Sequence, residues 1–198
     1  MEDLLEKKIK YWKDKLTGTE ALELRNHTKR KIKITLPGPM TIVDTIADRH
    51  YGDKAKLAMA FAALLNQEAR ALEKDGVDVI QFDEPAFNVY MDDVTKWGIA
   101  ALHRAIRGLK KCKTAVHICY GYGIKANLDW KATLGDQWRQ YQDTFPHLAK
   151  SRIDQISLEC ANSKVPIDGY LSAAEARTDA ERQQGLAAHL RQMRDHMR

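Results

Sequence analysis

Cysteine is scarce: Cys112, Cys119 and Cys160 are the only three in 198 residues. A sparse, odd-numbered set argues against a disulfide framework and leaves thiol or metal chemistry open. No apolar run approaches transmembrane length, and the acidic N-terminus lacks the basic-then-apolar form of a signal peptide. A cytoplasmic protein with no membrane partner is therefore expected. No G-x-G-x-x-G opens a helix after a strand, which weighs against a dinucleotide fold. Blocks of one charge sign are also short. The net charge of +5 is spread through interleaved Lys, Arg, Asp and Glu, with local basic clusters only over 29–33 and 110–113. Neither cluster has an aromatic stacking pattern beside it, so no nucleic-acid partner is expected. A solvated surface is the better reading, and attraction for a small anionic substrate comes second.

What is present, 44% hydrophobic and 30% charged residues, suits a globular chain with one core. Three segments are expected. The first, over 1–20, holds an amphipathic helix with Leu5, Ile9, Trp12 and Leu16 on one stripe. The second, over 21–167, alternates strand and helix. Strands are predicted over 31–36, 77–82, 114–120 and 153–160, with helices over 20–27, 54–75, 95–109 and much of 128–150. Phe61 and Leu64 join Leu57, Leu65 and Leu72 on the buried side of the long helix, and Gly76 ends it. Pro37-Gly38-Pro39 is predicted to stop the first strand as a turn, and Pro146 to limit the last helix. The third segment, over 168–198, is an atypical polar helical tail with a thin apolar stripe and no fifth strand.

Strand-helix alternation at this spacing predicts right-handed parallel βαβ units. The fold class is α/β, a partial (β/α)8 barrel of about four parallel strands with intervening helices. Side chains alternate along each strand. Gln81 and Asp83 therefore share one face, as do His117 and Cys119 on the next strand and Ser157 and Glu159 on the one after. In a barrel these polar faces point at the axis, which gathers Asp83, His117, Cys119 and Glu159 around one centre. Burying two carboxylates, an imidazole and a thiol together is costly without a counter-charge, and zinc takes such ligands readily. Cys160 faces the helices as a packing residue, Cys112 sits in a lysine-rich loop with no partner in view, and Trp97, Trp130 and Trp138 serve packing.

Four blocks carry a family resemblance: Leu36-Pro37-Gly38-Pro39-Met40-Thr41, Ile80-Gln81-Phe82-Asp83-Glu84-Pro85-Ala86, His117-Ile118-Cys119-Tyr120-Gly121 and Ile156-Ser157-Leu158-Glu159. In this order they resemble the C-terminal catalytic barrel of cobalamin-independent methionine synthase. The resemblance implies a zinc enzyme that moves a methyl group from 5-methyltetrahydrofolate to homocysteine, giving methionine. It implies His117, Cys119 and Glu159 as zinc ligands, and Asp83 as a catalytic carboxylate that holds the homocysteine amino group. Glu84 is implied beside it in substrate binding.

The chain also departs from the family pattern. No cysteine follows Cys160, where the family has a second cysteine ligand, and the family's later histidine has no match. Val89 stands where longer enzymes carry a folate-side carboxylate. The first barrel units are not recognisable, so a truncated relative with a tail of other origin is expected. A corrinoid protein as methyl donor, a non-catalytic zinc-binding remnant, and a subunit needing a partner chain to complete the barrel are the alternatives.

Overall fold

The structure is a computed structural model that describes residues 19–121, 125–159 and 163–166. The expected helix within 1–20, the tail over 168–198 and Cys160 lie outside the described residues. The architecture is α/β, a partial β/α barrel in which four parallel strands stand in the order β1-β2-β3-β4. These are β1 (Lys33–Pro37), β2 (Val79–Asp83), β3 (Lys113–Ile118) and β4 (Gln155–Leu158). Between them run α1 (Thr19–His27), α2 (Pro39–Thr45), α3 (Lys54–Lys74), α4 (Met91–Asp93), α5 (Ile99–Ala105), α6 (Lys125–Ala132) and α7 (Gln140–Ala149), with α1 preceding β1. No helix among the described residues is long and apolar enough to cross a membrane.

The alternation expected of the strands is present. Ile80, Phe82, Val116 and Ile118 are fully buried in the core shared with the helices. The opposite face carries the row Pro37, Asp83, His117 and Ser157, which are paired in register across the four strands. Helix α3 starts where Asp53 accepts a hydrogen bond from the Lys56 N–H and ends in a turn through Gly76, whose φ of +88° favours glycine. Its most deeply buried stripe is Leu57, Ala58, Ala62, Leu65, Ala69 and Leu72. Phe61 and Leu64 are only half-buried. Alanines let α3 pack closely on α5, which itself buries Ala101 and Ala105 completely.

Several boundaries differ from expectation. Pro37-Gly38-Pro39 stops β1 but immediately opens α2, because Pro39 at the first helical position loses no hydrogen bond there. Met40 is a buried residue of that helix. The third helical stretch begins earlier, at α4, and passes through a π-helical turn, Val94–Gly98, into α5. Gly98 suits that turn, since a Cβ there would press on Met40 Sδ and Phe87 Cε1. The last helical stretch is two helices, α6 and α7, separated by a turn at Gly135 with φ +72°. Pro146 lies inside α7 without ending it.

Candidate active site

All the candidate side chains stand at the carboxyl ends of the strands, where parallel β/α folds place their chemistry. Asp83 is the last residue of β2 and His117 is its in-register partner on β3. Cys119 and Glu159 lie one residue past the ends of β3 and β4, shorter strands than the sequence predicts. The Glu159 N–H donates to the Ile118 carbonyl at 3.2 Å, so the two strand ends stay in contact beyond the ladder.

Each side chain has a partner that orients it. Gln81 Nε2 donates to Asp83 Oδ1 at 2.8 Å, while Gln81 Oε1 is buried with no partner among the described residues. His117 Nδ1 lies 3.1 Å from Ser157 Oγ, leaving Nε2 as the ring nitrogen outside that bond. The Tyr120 N–H donates to Glu159 Oε2 at 2.9 Å. Cys119 is a free, half-buried thiol. Burial raises its pKa, and the negative charges of Glu159 and Asp83 add to that rise against the Gly121 backbone and Lys131.

Glu84 follows Asp83 just past the end of β2. Successive side chains alternate, so it turns away from Asp83 and is fully buried. Its Oε1 accepts from the Met40 N–H at 3.1 Å, and Oε2 accepts from the Thr41 N–H at 2.9 Å and Thr41 Oγ1 at 2.8 Å. Both oxygens are thus engaged by the first turn of α2. Burial pushes its carboxyl up to about 7, with Asp83 adding to the rise and the three Met40 and Thr41 bonds opposing it.

Cys112 also has a partner. It is buried at the amino end of β3, where burial and Glu73 push its thiol up to about 12. The tryptophans pack as expected: Trp138 and Trp130 flank Tyr120, with ring centroids at 4.6 and 6.0 Å. Trp97 packs against the core.

Sequence reasoning missed the residues that hold these strand ends. Gln81 and Ser157 were visible as same-face neighbours of Asp83 and Glu159, and that was the only signal. Asn88, which donates to the Cys119 carbonyl at 3.1 Å, and Tyr141, whose hydroxyl donates to the Ile118 carbonyl at 2.8 Å, carried none.

The expected single centre is reached only in part. Among the described residues, no three His, Cys, Asp or Glu side chains are grouped so as to hold a metal ion. The donor chemistry nevertheless suits zinc: a nitrogen, a sulfur and a carboxylate on two adjacent strand ends. The charges of two carboxylates acting on one half-buried thiol are a cluster that a cation would relieve.

A parallel β/α sheet with thiol, imidazole and carboxylates at its carboxyl rim defines a β/α-barrel enzyme domain. The comparisons give the family. Residues 12–179 match the family model described as "Cobalamin-independent synthase, Catalytic domain", and the chain belongs to this family. It is 33% identical over 126 residues to a methionine synthase of Saccharolobus islandicus, covering 64% of this chain and 32% of the relative. A methionine synthase of Sulfurisphaera tokodaii is 30% identical over 155 residues, 78% of this chain and 40% of the relative. The solved B12-independent methionine synthase from Shewanella sp. W3-18-1, in complex with selenomethionine, is 60% identical with a TM-score of 0.75. That match covers 79% of this chain and 46% of the solved one. The chain thus spans between about a third and a half of the length of these relatives.

Proposed function

We propose that this chain carries the homocysteine- and zinc-binding side of a methionine synthase of the cobalamin-independent type. The reaction is transfer of the methyl group from N5 of a methyltetrahydrofolate to the sulfur of homocysteine. The N–C bond breaks, the S–C bond forms, and the folate nitrogen keeps the electron pair and takes a proton. A cobalamin-independent family favours the folate donor over a corrinoid protein. The observation that supports the reading most directly is the placement of Asp83 and His117 in register at the carboxyl ends of β2 and β3, with Cys119 and Glu159 one residue past the ends of β3 and β4.

His117, Cys119 and Glu159 would hold zinc. Zinc, when bound, lowers the pKa of a substrate thiol so that it reacts as a thiolate. The remaining work falls to this chain's own groups. Ser157 fixes the His117 ring through Nδ1. Gln81 anchors one oxygen of Asp83, so the other is aimed for the ammonium of an amino-acid substrate. The orphaned Gln81 Oε1 supplies a second acceptor next to it.

The test is zinc content by mass spectrometry on the folded full chain, with and without homocysteine. About one zinc per chain is expected, falling to near zero in His117→Ala and in Cys119→Ala. No zinc in the folded wild type would move the reading to a non-catalytic remnant. Asp83→Asn addresses the substrate side. Calorimetric titration with methionine is expected to show binding weakened by about tenfold or more, with zinc content unchanged. Equal affinity in wild type and Asp83→Asn would remove Asp83 from the amino-group role.

A further inference from the structure

We propose that the amino-terminal end of the sheet carries a second binding site, a groove for a small, multiply charged phosphate anion. The groove, of about 560 Å³, is lined by His103, Arg104, Arg107 and Arg152. The first three come from the last turn of α5 and the turn after it, and Arg152 comes from the loop that enters β4. A second hollow of about 290 Å³ shares His103, Arg107 and Arg152 and continues past Lys110, Lys113 and Asp154. Together they reach the size range of a small-ligand site. The candidate active site lies at the other end of β3, about 16 Å away at the rise of an extended strand.

Among the described residues no carboxylate forms an ion pair with Arg104, Arg107 or Arg152. Carboxylates at this end of the sheet have other partners, Asp78 being paired with Arg25. Asp154 Oδ2 accepts from the Thr114 N–H and Thr114 Oγ1, both at 3.0 Å, and Oδ1 from Lys113 Nζ at 3.2 Å. Glu73 Oε1 accepts from the backbone N–H groups of Lys110, Lys111 and Cys112. The carboxyl end of α5 offers roughly half a unit of negative charge, which offsets only a fraction of three guanidinium groups.

The groove is also shaped. The Arg152 N–H donates to His103 Nε2 at 3.1 Å, which ties the β4 entry loop to α5 and fixes the spacing of its two walls. Arginine forks match the oxygens of phosphate in a bidentate way, and more than one phosphate is needed to answer three of them. The basic cluster over 110–113, which composition left as solvated surface, forms the rim of this hollow. The site is independent of the methyl-transfer reading, so either stands if the other fails.

Isothermal titration of the full chain with inorganic pyrophosphate tests the proposal. Saturable binding is expected, weakened at least about tenfold in Arg107→Gln/Arg152→Gln. Arg49→Gln/Lys96→Gln removes the same net charge from exposed positions that line no part of the groove, and affinity should then stay within about twofold of wild type. All four side chains are exposed, so the variants should keep the wild-type circular dichroism and melting temperature. No saturable binding, or equal weakening by both pairs, overturns the proposal. Binding of a long oligonucleotide without binding of pyrophosphate also overturns it, since that describes an extended surface rather than a site.

Discussion

Gly38→Ala is expected to destabilise the domain by about 3 kcal/mol, although one methyl group is all it adds. The backbone is not the reason. Gly38 sits at φ −77° and ψ 153°, a conformation open to alanine. The cost is spatial: a Cβ at this position would fall on the Cδ and Cγ atoms of Glu84. Neither side can yield easily. The Gly38 N–H donates to the Asp83 carbonyl at 2.8 Å, and its own carbonyl accepts from the Ile42 N–H at 3.0 Å. Glu84 is fully buried and held by three bonds from Met40 and Thr41. Urea unfolding would read the effect as a lower midpoint at unchanged slope. A loss under about 1 kcal/mol would mean that Glu84 can swing aside. The double variant Gly38→Ala/Glu84→Ala should cost less than the sum of the singles, because the colliding group is gone.

Glu84→Ala is the second large effect. It leaves two N–H groups and a hydroxyl at the start of α2 without their acceptor, and about 3 kcal/mol or more of stability should be lost. The same carboxyl sets a pH dependence whose sign is opposite to that of a paired surface acid. Its folded pKa, about 7, lies above the ordinary 4.5. Between these values the native state holds a proton that the unfolded chain releases. Its contribution is complete below about 4.5 and is lost as pH rises through about 7, roughly 3 kcal/mol in all. Glu73 and Asp154, whose pKa values are lowered, act in another window: their contribution is present above the ordinary carboxylate range and lost as pH falls below it. His103, also lowered, gains stability as pH rises through its ordinary 6.5 and so opposes Glu84 over part of the interval. Glu84→Gln has no carboxyl to titrate. Wild-type minus Glu84→Gln stability, measured from pH 5 to 7.5, should therefore decline by about 2 to 3 kcal/mol, and a flat difference would show that Glu84 folds in ionised.

Much of this was readable in the chain itself, for local reasons. Ile80 and Phe82 alternate with Gln81 and Asp83, and Val116 and Ile118 with His117, so a period of two assigned each to the helix side or the rim side. Asp53 and Gly76 bracket α3 as local caps do. What was hidden depends on contacts distant in sequence. Helix α2 looked like a turn because Pro-Gly-Pro breaks structure locally, whereas its first N–H groups find their acceptor in Glu84, just past the end of β2. The same pairing gives Glu84 a part in starting α2 that its place beside Asp83 did not announce. Cys112 seemed partnerless for a similar reason, since Glu73 reaches it from the end of α3. The rim residues themselves were legible, but their grouping was not: Glu159 is held by Tyr120 and His117 by Ser157, pairings that no spacing rule contains.

The end of β3 is fastened at three consecutive carbonyls. That of His117 accepts from the Glu84 N–H at 2.8 Å, that of Ile118 from Tyr141 and the Glu159 N–H, and that of Cys119 from Asn88. The main chain beneath the two donor side chains has therefore given up its conformational entropy on folding. At His117 and Cys119 themselves a ligand needs to order only side-chain rotamers, about 0.5–1.5 kcal/mol each. Its association should accordingly show a small entropic penalty, and a rate set by encounter rather than by rearrangement of this strand end.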